Sequence, residues 1–254
     1  MRAAVLVLLV GCGRVGFGEA SFDAADGPQL LVDVAPLDAA FPSGLVAWFP
    51  LDDQAATSVV DVVSGFGGMC TGSECATQVA GHRGTAFGFD GDDDCIQVPN
   101  MGQFGQAQLT LSVWIRQDTI DVCTPVAKPA ENVSTTANTW QIETTTNNEI
   151  EFSTTHGGSG NMTMSTPVNT LVVGQWQHVA ATYDGAMKRL YVNGAQVATD
   201  AETLALTYGV QPMWIGCDVN SGNQAAQNFA GAIDEVQLYN RALTLPEVQA
   251  LAAM

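Results

Sequence analysis

The sequence predicts an all-β chain, folded as a two-sheet antiparallel sandwich and closed by one short helix. Three observations carry this. The composition, 26 Gly and 23 Thr against two Lys, is strand-and-turn chemistry rather than helix chemistry. From residue 44 onward, short apolar segments recur between Gly, Asn and Asp turns, several with strict period-two alternation. The one helix signal lies at the C-terminus. Many short strands at this spacing argue for a sandwich or jelly roll.

The elements follow in order. Leu45–Phe49 reads as a strand. Residues 86–89 and 95–98 flank the turn Asp90-Gly-Asp-Asp-Asp94. Residues 109–116 alternate, with Leu109, Leu111, Val113 and Ile115 on one face and Thr110, Ser112, Trp114 and Arg116 on the other. Residues 140–144 and 149–153 form a hairpin around Asn147-Asn148. Residues 176–183 end at Asp184-Gly185. Residues 188–192 and 196–198 bracket Asn193-Gly194, a strong hairpin signal. Residues 213–216 and 232–239 complete the set. Thr244-Leu-Pro-Glu247 carries an N-cap Thr, a first-turn Pro and a capping-box Glu, so a helix over 245–253 is expected.

Charge excludes one class of function. Twenty-six acidic residues against eight basic ones leave a net charge of −18, so the basic footprint of nucleic-acid binding is missing. A hydrophobic fraction of 46% argues against disorder throughout. At the N-terminus, Arg2, the apolar run Ala3–Val10 and Gly11-Cys12 describe a secretory signal. Leu9-Val-Gly-Cys12 resembles the bacterial lipobox, which makes residues 1–11 a signal peptide and Cys12 the lipidated residue. The alternative is a buried start of the domain. Residues 12–43, with Asp23, Asp26, Asp33 and Asp38 among Ala, Gly and Pro, read as an acidic tether with a reach of roughly 30 Å. A short strand near 30–34 is the competing reading. The globular domain is expected over 44–254. The expected location is the bacterial cell envelope, as an outer-membrane lipoprotein or a secreted chain.

Export permits disulfides. The six cysteines are Cys12, Cys70, Cys75, Cys95, Cys123 and Cys217. With Cys12 lipidated, five remain and one is left over. Cys70 and Cys75 fit a small loop staple. Cys123 and Cys217 follow strand-like segments and are the candidate long-range pair, leaving Cys95 as the spare thiol, although spacing alone leaves other pairings open. Zinc is disfavoured, because no Cys-x-x-Cys occurs and the three His are scattered.

The order of these segments resembles the laminin-G-like jellyroll family of the concanavalin A-like lectin/glucanase superfamily. The carriers are Phe87-Gly-Phe-Asp-Gly-Asp-Asp-Asp94, Leu111-Ser-Val-Trp-Ile115, Gly174–Gly185, Leu190-Tyr-Val-Asn-Gly194 and Phe229–Leu243. The resemblance implies a jelly roll on secreted or surface proteins that commonly binds glycans or proteins. Cys95, the insert with Cys70 and Cys75, and the Cys123 loop depart from the family pattern. By the same resemblance, a structural calcium joins the Phe-Asp-Gly turn to an acid of the last strand. Here that set is Asp90, Gly91 and Asp234. Calcium takes six to eight oxygens, and the bland alternative is that both Asp side chains cap turns.

An enzyme of the glucanase type needs paired carboxyls about 5 Å apart. Glu149 and Glu151, with Glu143 on the partner strand, come nearest, but the family's Glu-x-Asp-x-x-Glu strand is absent. A non-catalytic binding module is therefore expected, with a glucanase or a structural envelope domain as alternatives. His178 reads as structural, and His82 and His156 sit in Gly-rich turns. For a glycan site, Trp48, Trp114 and Trp176 lie within strand motifs, which leaves Trp140 as the exposed candidate. The loop with Asp218, Asn220 and Asn223, and that from Lys128 to Asn138, offer polar groups at one end of the sandwich. Glycan or surface protein is the expected partner.

Overall fold

The computed structural model describes residues 41–254, apart from 54–56, 71–74, 101, 103, 131–137, 157–160 and 220–224. Two eight-stranded antiparallel sheets face each other. The first has the spatial order β14 (Ala195–Ala201), β13 (Met187–Val192), β12 (Gln177–Tyr183), β7 (Leu109–Gln117), β18 (Ala230–Tyr239), β5 (Thr85–Asp90), β4 (Thr77–Ala80), with β1 (Leu45–Phe49) also on β18. The second runs β11 (Asn161–Ser165), β10 (Ile150–Thr155), β9 (Asn138–Thr144), β8 (Cys123–Pro129), β15 (Met213–Ile215), β6 (Ile96–Val98), β3 (Gly67–Cys70), β2 (Ser58–Val60). A small pair, β16 (Asp218–Val219) and β17 (Ala225–Ala226), and the helix α1 (Leu245–Leu251) complete the fold.

Alternation builds the core. Leu109, Leu111, Val113 and Ile115 point between the sheets and meet Val126, Ile142, Ile150 and Phe152 from the other side. Each such burial contributes on the order of 1.5–3 kcal/mol. The opposite face of β7 is covered as well, contrary to a simple inside–outside reading. Thr110, Ser112 and Trp114 are buried there. Val248 and Leu251 of α1 cover one half of that face with Trp48, Ala180, Tyr191 and Tyr239. His82 stacks on Trp114 at 3.4 Å between ring centroids in the other half. The helix begins as expected: Thr244 N and Oγ1 both donate to Glu247 Oε2 at 2.8 Å. It ends two residues earlier than the sequence suggested.

Three strands of the second sheet are weakly written in sequence. β8 contains Pro125 and Pro129, which cannot donate to a ladder. Both lie where the β8–β9 register shifts, so the missing donors fall at irregularities. β3 is Gly-Gly-Met-Cys and β2 has three residues, so neither shows a pattern.

The cysteine pairing corrects one expectation. Cys70–Cys75 is formed, but Cys217 bonds to Cys95, and Cys123 is the free, buried thiol. The register explains it. Ile96 pairs with Ile215 across β6 and β15, so Cys95 and Cys217 flank the same antiparallel pair, with Cα atoms 5.5 Å apart. Cys123 points into the core instead, where burial pushes its thiol pKa up.

Candidate functional site

The outer side of the second sheet carries a largely buried polar layer, with Glu143 and Glu151 half-buried at its edge. Its register lines up Gln97, Trp214, Ala127, Gln141, Ser153 and Thr163 across β6, β15, β8, β9, β10 and β11. Next to this row, Glu143 stands opposite Glu151. Side chains directly opposed on antiparallel strands have Cβ atoms about 4.5–5.5 Å apart. Glu151 accepts from Ser165 Oγ at 2.8 Å, and Ser153 and Thr163 share a hydrogen bond of 2.8 Å.

A relay of amides and carboxylates runs along this face. Asn138 Nδ2 donates to Asp218 Oδ2 at 2.8 Å and also to Gln141 Oε1. Gln141 Nε2 donates to Glu143 Oε2 at 2.9 Å. Burial raises the pKa of Glu143, and the Glu151 charge raises it further; Gln227 and Gln141 oppose this by hydrogen bonding, while Asp218 adds to it. Asp218 is raised too, mainly by its own burial, against the Asn138 amide and the Val219 N–H. The glucanase comparison found no third acid near Glu143 and Glu151 in sequence. In space β16 supplies Asp218.

Two of the expected ligand-binding residues, Trp140 and Asp218, come out differently. Trp140 is fully buried, not exposed: β9 turns Trp140 and Ile142 inward and Gln141 and Glu143 outward. Asn220 and Asn223 lie outside the described residues, as does Cys12. Asp218 is on the relay but 4% exposed, and Asn138 and Gln141 are buried with it, so the relay meets solvent only at Glu143.

The set Asp90, Gly91 and Asp234 is not assembled. In the β5–β18 register Ala230 pairs with Asp90, whereas Asp234 stands beyond Ile233, which pairs with Phe87. Four strand residues separate the two ends by about 13 Å. Asp90 instead groups with Asp93 and Asp94, their carboxylate oxygens within 4.8 Å of one another. Asp234 sits opposite Trp114, fully buried, and accepts from Arg83 N–H at 3.0 Å. Its other oxygen, Oδ1, has no hydrogen-bond partner among the described residues. Asp52, which accepts from Thr85 N–H at 2.7 Å, lies close enough for its charge to act on Asp234. Burial, offset by the Arg83 N–H and reinforced by Glu235 and Asp52, pushes the Asp234 carboxyl up to about 7.

His178 fits its structural reading. It is buried, its Nε2 lies 2.8 Å from Ser112 Oγ, and burial lowers its pKa to about 3, so the ring is neutral.

These features define a lectin-type sandwich: two facing sheets, one of them with a hydrogen-bonded polar layer on its outer side. The chain belongs to the concanavalin A-like lectin/glucanases superfamily, whose laminin-G model matches residues 90–249. Over 77 residues it is 43% identical to mouse pappalysin-1, and 40% to the human protein. That stretch is 30% of this chain and spans only 5% of either pappalysin. Among solved structures it is similar to domain 4 of an extracellular arabinanase from Geobacillus stearothermophilus, in complex with arabinotriose. The TM-score is 0.59 at 21% identity, covering 82% of this chain and 98% of that one. The binding domain of Paraclostridial Mosquitocidal Protein 1 matches at 0.64 and 16% identity, over 82% of this chain and 52% of that one. The binding domain of botulinum neurotoxin serotype G matches at 0.62 and 12%, over 82% and 50%. At these identities the likeness is one of fold. Two disulfides are consistent with an extracellular setting. No helix among the described residues is long and apolar enough to cross a membrane.

Proposed function

We propose that this chain is a non-catalytic, exported recognition module that binds carbohydrate or a protein partner on the outer face of its second sheet. One observation carries the reading: the relay Asp218–Asn138–Gln141–Glu143, buried beneath the outer side of the sheet and ending at half-buried Glu143 beside half-buried Glu151. The buried amides hold Glu143 in a fixed geometry, so a ligand hydroxyl meets the Glu143 and Glu151 carboxylates as acceptors already placed. The structural likeness to an arabinotriose-complexed domain and to two toxin binding domains supports it.

A structural calcium belongs to this reading, with a changed ligand set. Asp234 is the acid that fits it, because its buried Oδ1 has no hydrogen-bond partner among the described residues. Asp52 is the neighbouring carboxylate. Bound there, the ion would offset the buried Asp234 and exposed Asp52 charges and pin the segment between β4 and β5. Lipid attachment at Cys12 and an acidic tether over 12–43 place the module at the surface of a bacterial envelope.

A glycan array probed with and without calcium tests the proposal. Gln141→Ala, which cuts the relay in the middle, is expected to weaken binding at least fivefold. Trp140→Ala is expected to cost about 3–5 kcal/mol of stability through the core cavity it leaves. A blank array would instead favour a structural envelope domain.

One observation favours a second reading, a retaining glycoside hydrolase. Glu143 and Glu151 are opposed across β9 and β10, and the Glu143 pKa is raised. A carboxyl whose pKa is raised by burial, opposed to a second carboxyl on the next strand, is the arrangement such chemistry uses. Release of reducing ends from a polysaccharide panel, abolished by Glu143→Gln, would establish that reading. No release would dismiss it.

A further inference from the structure

A cavity of about 250 Å³ opens on the outer face of the first sheet, away from the relay. The register explains why it exists. One transverse row across β4, β5, β18 and β7 reads Thr77, Gly88, Ala232, Arg116. The two middle positions carry almost no side chain, while Thr77 and Val79 form one wall and Arg116 the other. Helix α1 covers Ser112 and Ala180 farther along the sheet but does not line this trough. Gly231 belongs to the same design. Its φ is +149°, and a Cβ there would collide with the Arg116 carbonyl, so β18 can pass close to β7 only as glycine.

Arg116 is held for presentation. Its guanidinium carbon lies 5.6 Å from the centre of the Trp176 ring, and Nε donates to Asp118 Oδ1 at 3.3 Å. The two terminal nitrogens make no hydrogen bond among the described residues, and the side chain is 29% exposed. A planar pair of donors therefore faces the trough, with the carboxylates of Asp90, Asp94 and Asp118 also lining it. An anion would satisfy Arg116 but meet the acids. A cation would satisfy the acids but bring no acceptor for Arg116. Hydroxyl groups both donate and accept, and adjacent ones match a guanidinium fork on one side and a carboxylate on the other. The volume is below that of a drug-sized pocket, which suits one sugar ring.

We propose that this trough is a second ligand site and that it takes a neutral saccharide residue. It stands independently of the second-sheet reading, since it shares no residue with the relay. The test is titration of the full chain with arabinotriose, cellotriose and xylotriose, with tri-galacturonate as the acidic comparison, read by calorimetry and by amide NMR shifts. At least one neutral trisaccharide is expected to shift the Gly88 and Gly231 amides. Arg116→Ala and Arg116→Lys are each expected to weaken that event at least tenfold, with the thermal transition of the protein retained. Gln141→Ala should leave it unchanged, which separates this site from the relay. No shift at Gly88 and Gly231 with any neutral probe would overturn the proposal. So would tri-galacturonate binding there as tightly as a neutral probe, or full affinity in both Arg116 variants.

Discussion

Asp234 shows how a single side chain can matter in a way its neighbours in sequence do not announce. The strand Ile233-Asp-Glu-Val236 is readable as a family block, but the buried, half-satisfied carboxylate is a product of packing. Burial favours its neutral form, and its pKa stands at about 7 against 3.8 for an ordinary Asp. The folded state therefore holds a proton that the unfolded chain releases near pH 4. Stability from this group is fully present below the unfolded value and is lost as pH rises through about 7, at up to roughly 1.4 kcal/mol per pH unit. In chelator, the melting temperature is expected to rise as pH is lowered from 7 to 5. Asp234→Asn should flatten that slope, and millimolar calcium should do the same to the unmodified protein. A slope identical in all three would refute the assignment of Asp234. Trp140 makes the complementary point. Its identity as an aromatic was legible, but whether it faces glycan or core depended on the parity of β9, which a short polar-rich strand does not reveal.

At the scale of elements, pairs of strands decide what isolated strands leave open. Most core strands of both sheets were readable from alternation and turns, as was the capping box of α1. The Asx and Gly turns supplied local rules that hold regardless of context. The disulfide was not readable, because it depends on β6 and β15 becoming neighbours although 122 residues separate Cys95 from Cys217. Closing a loop of that length removes much unfolded-chain entropy. The double variant Cys95→Ala with Cys217→Ala is expected to lose about 2–5 kcal/mol, read as a lower midpoint in guanidinium. Cys70→Ala with Cys75→Ala, which opens a loop with a separation of only five residues, should lose less. Equal losses would contradict this account.

On the scale of the whole molecule, the few positive charges are unevenly placed. The four described arginines all belong to the first sheet or its connections, and each pairs with an acid: Arg83–Glu235, Arg116–Asp118, Arg189–Asp184 and Arg241–Glu247. Both lysines of the chain are buried. Lys128 Nζ donates to the Pro129 and Gly209 carbonyls, and Lys188 Nζ to Thr154 Oγ1 and the Met162 carbonyl. Burial lowers the Lys188 pKa, with Glu202 and Asp200 opposing. An amine-reactive ester is therefore expected to spare both lysines in the folded protein and to add two modifications after denaturation, as counted by mass spectrometry. Labelling of either lysine at native rates typical of exposed amines would show that these polar anchors open readily. The same placement leaves the outer face of the second sheet acidic, which suits neutral ligands over anionic ones.

By itself the sequence determined the all-β class, most strands, the closing helix and the acidic balance. Each rests on local periodicity, turn chemistry or counting, which need no knowledge of distant neighbours. Only the tertiary structure decided which face Trp140 takes, that Cys95 and not Cys123 meets Cys217, and that Asp234 stands apart from Asp90. It also brought Asp218 to Glu143 and opened the trough beside Arg116. Those outcomes depend on which strands become neighbours and in what register, and a shift of one residue reverses every side chain on a strand.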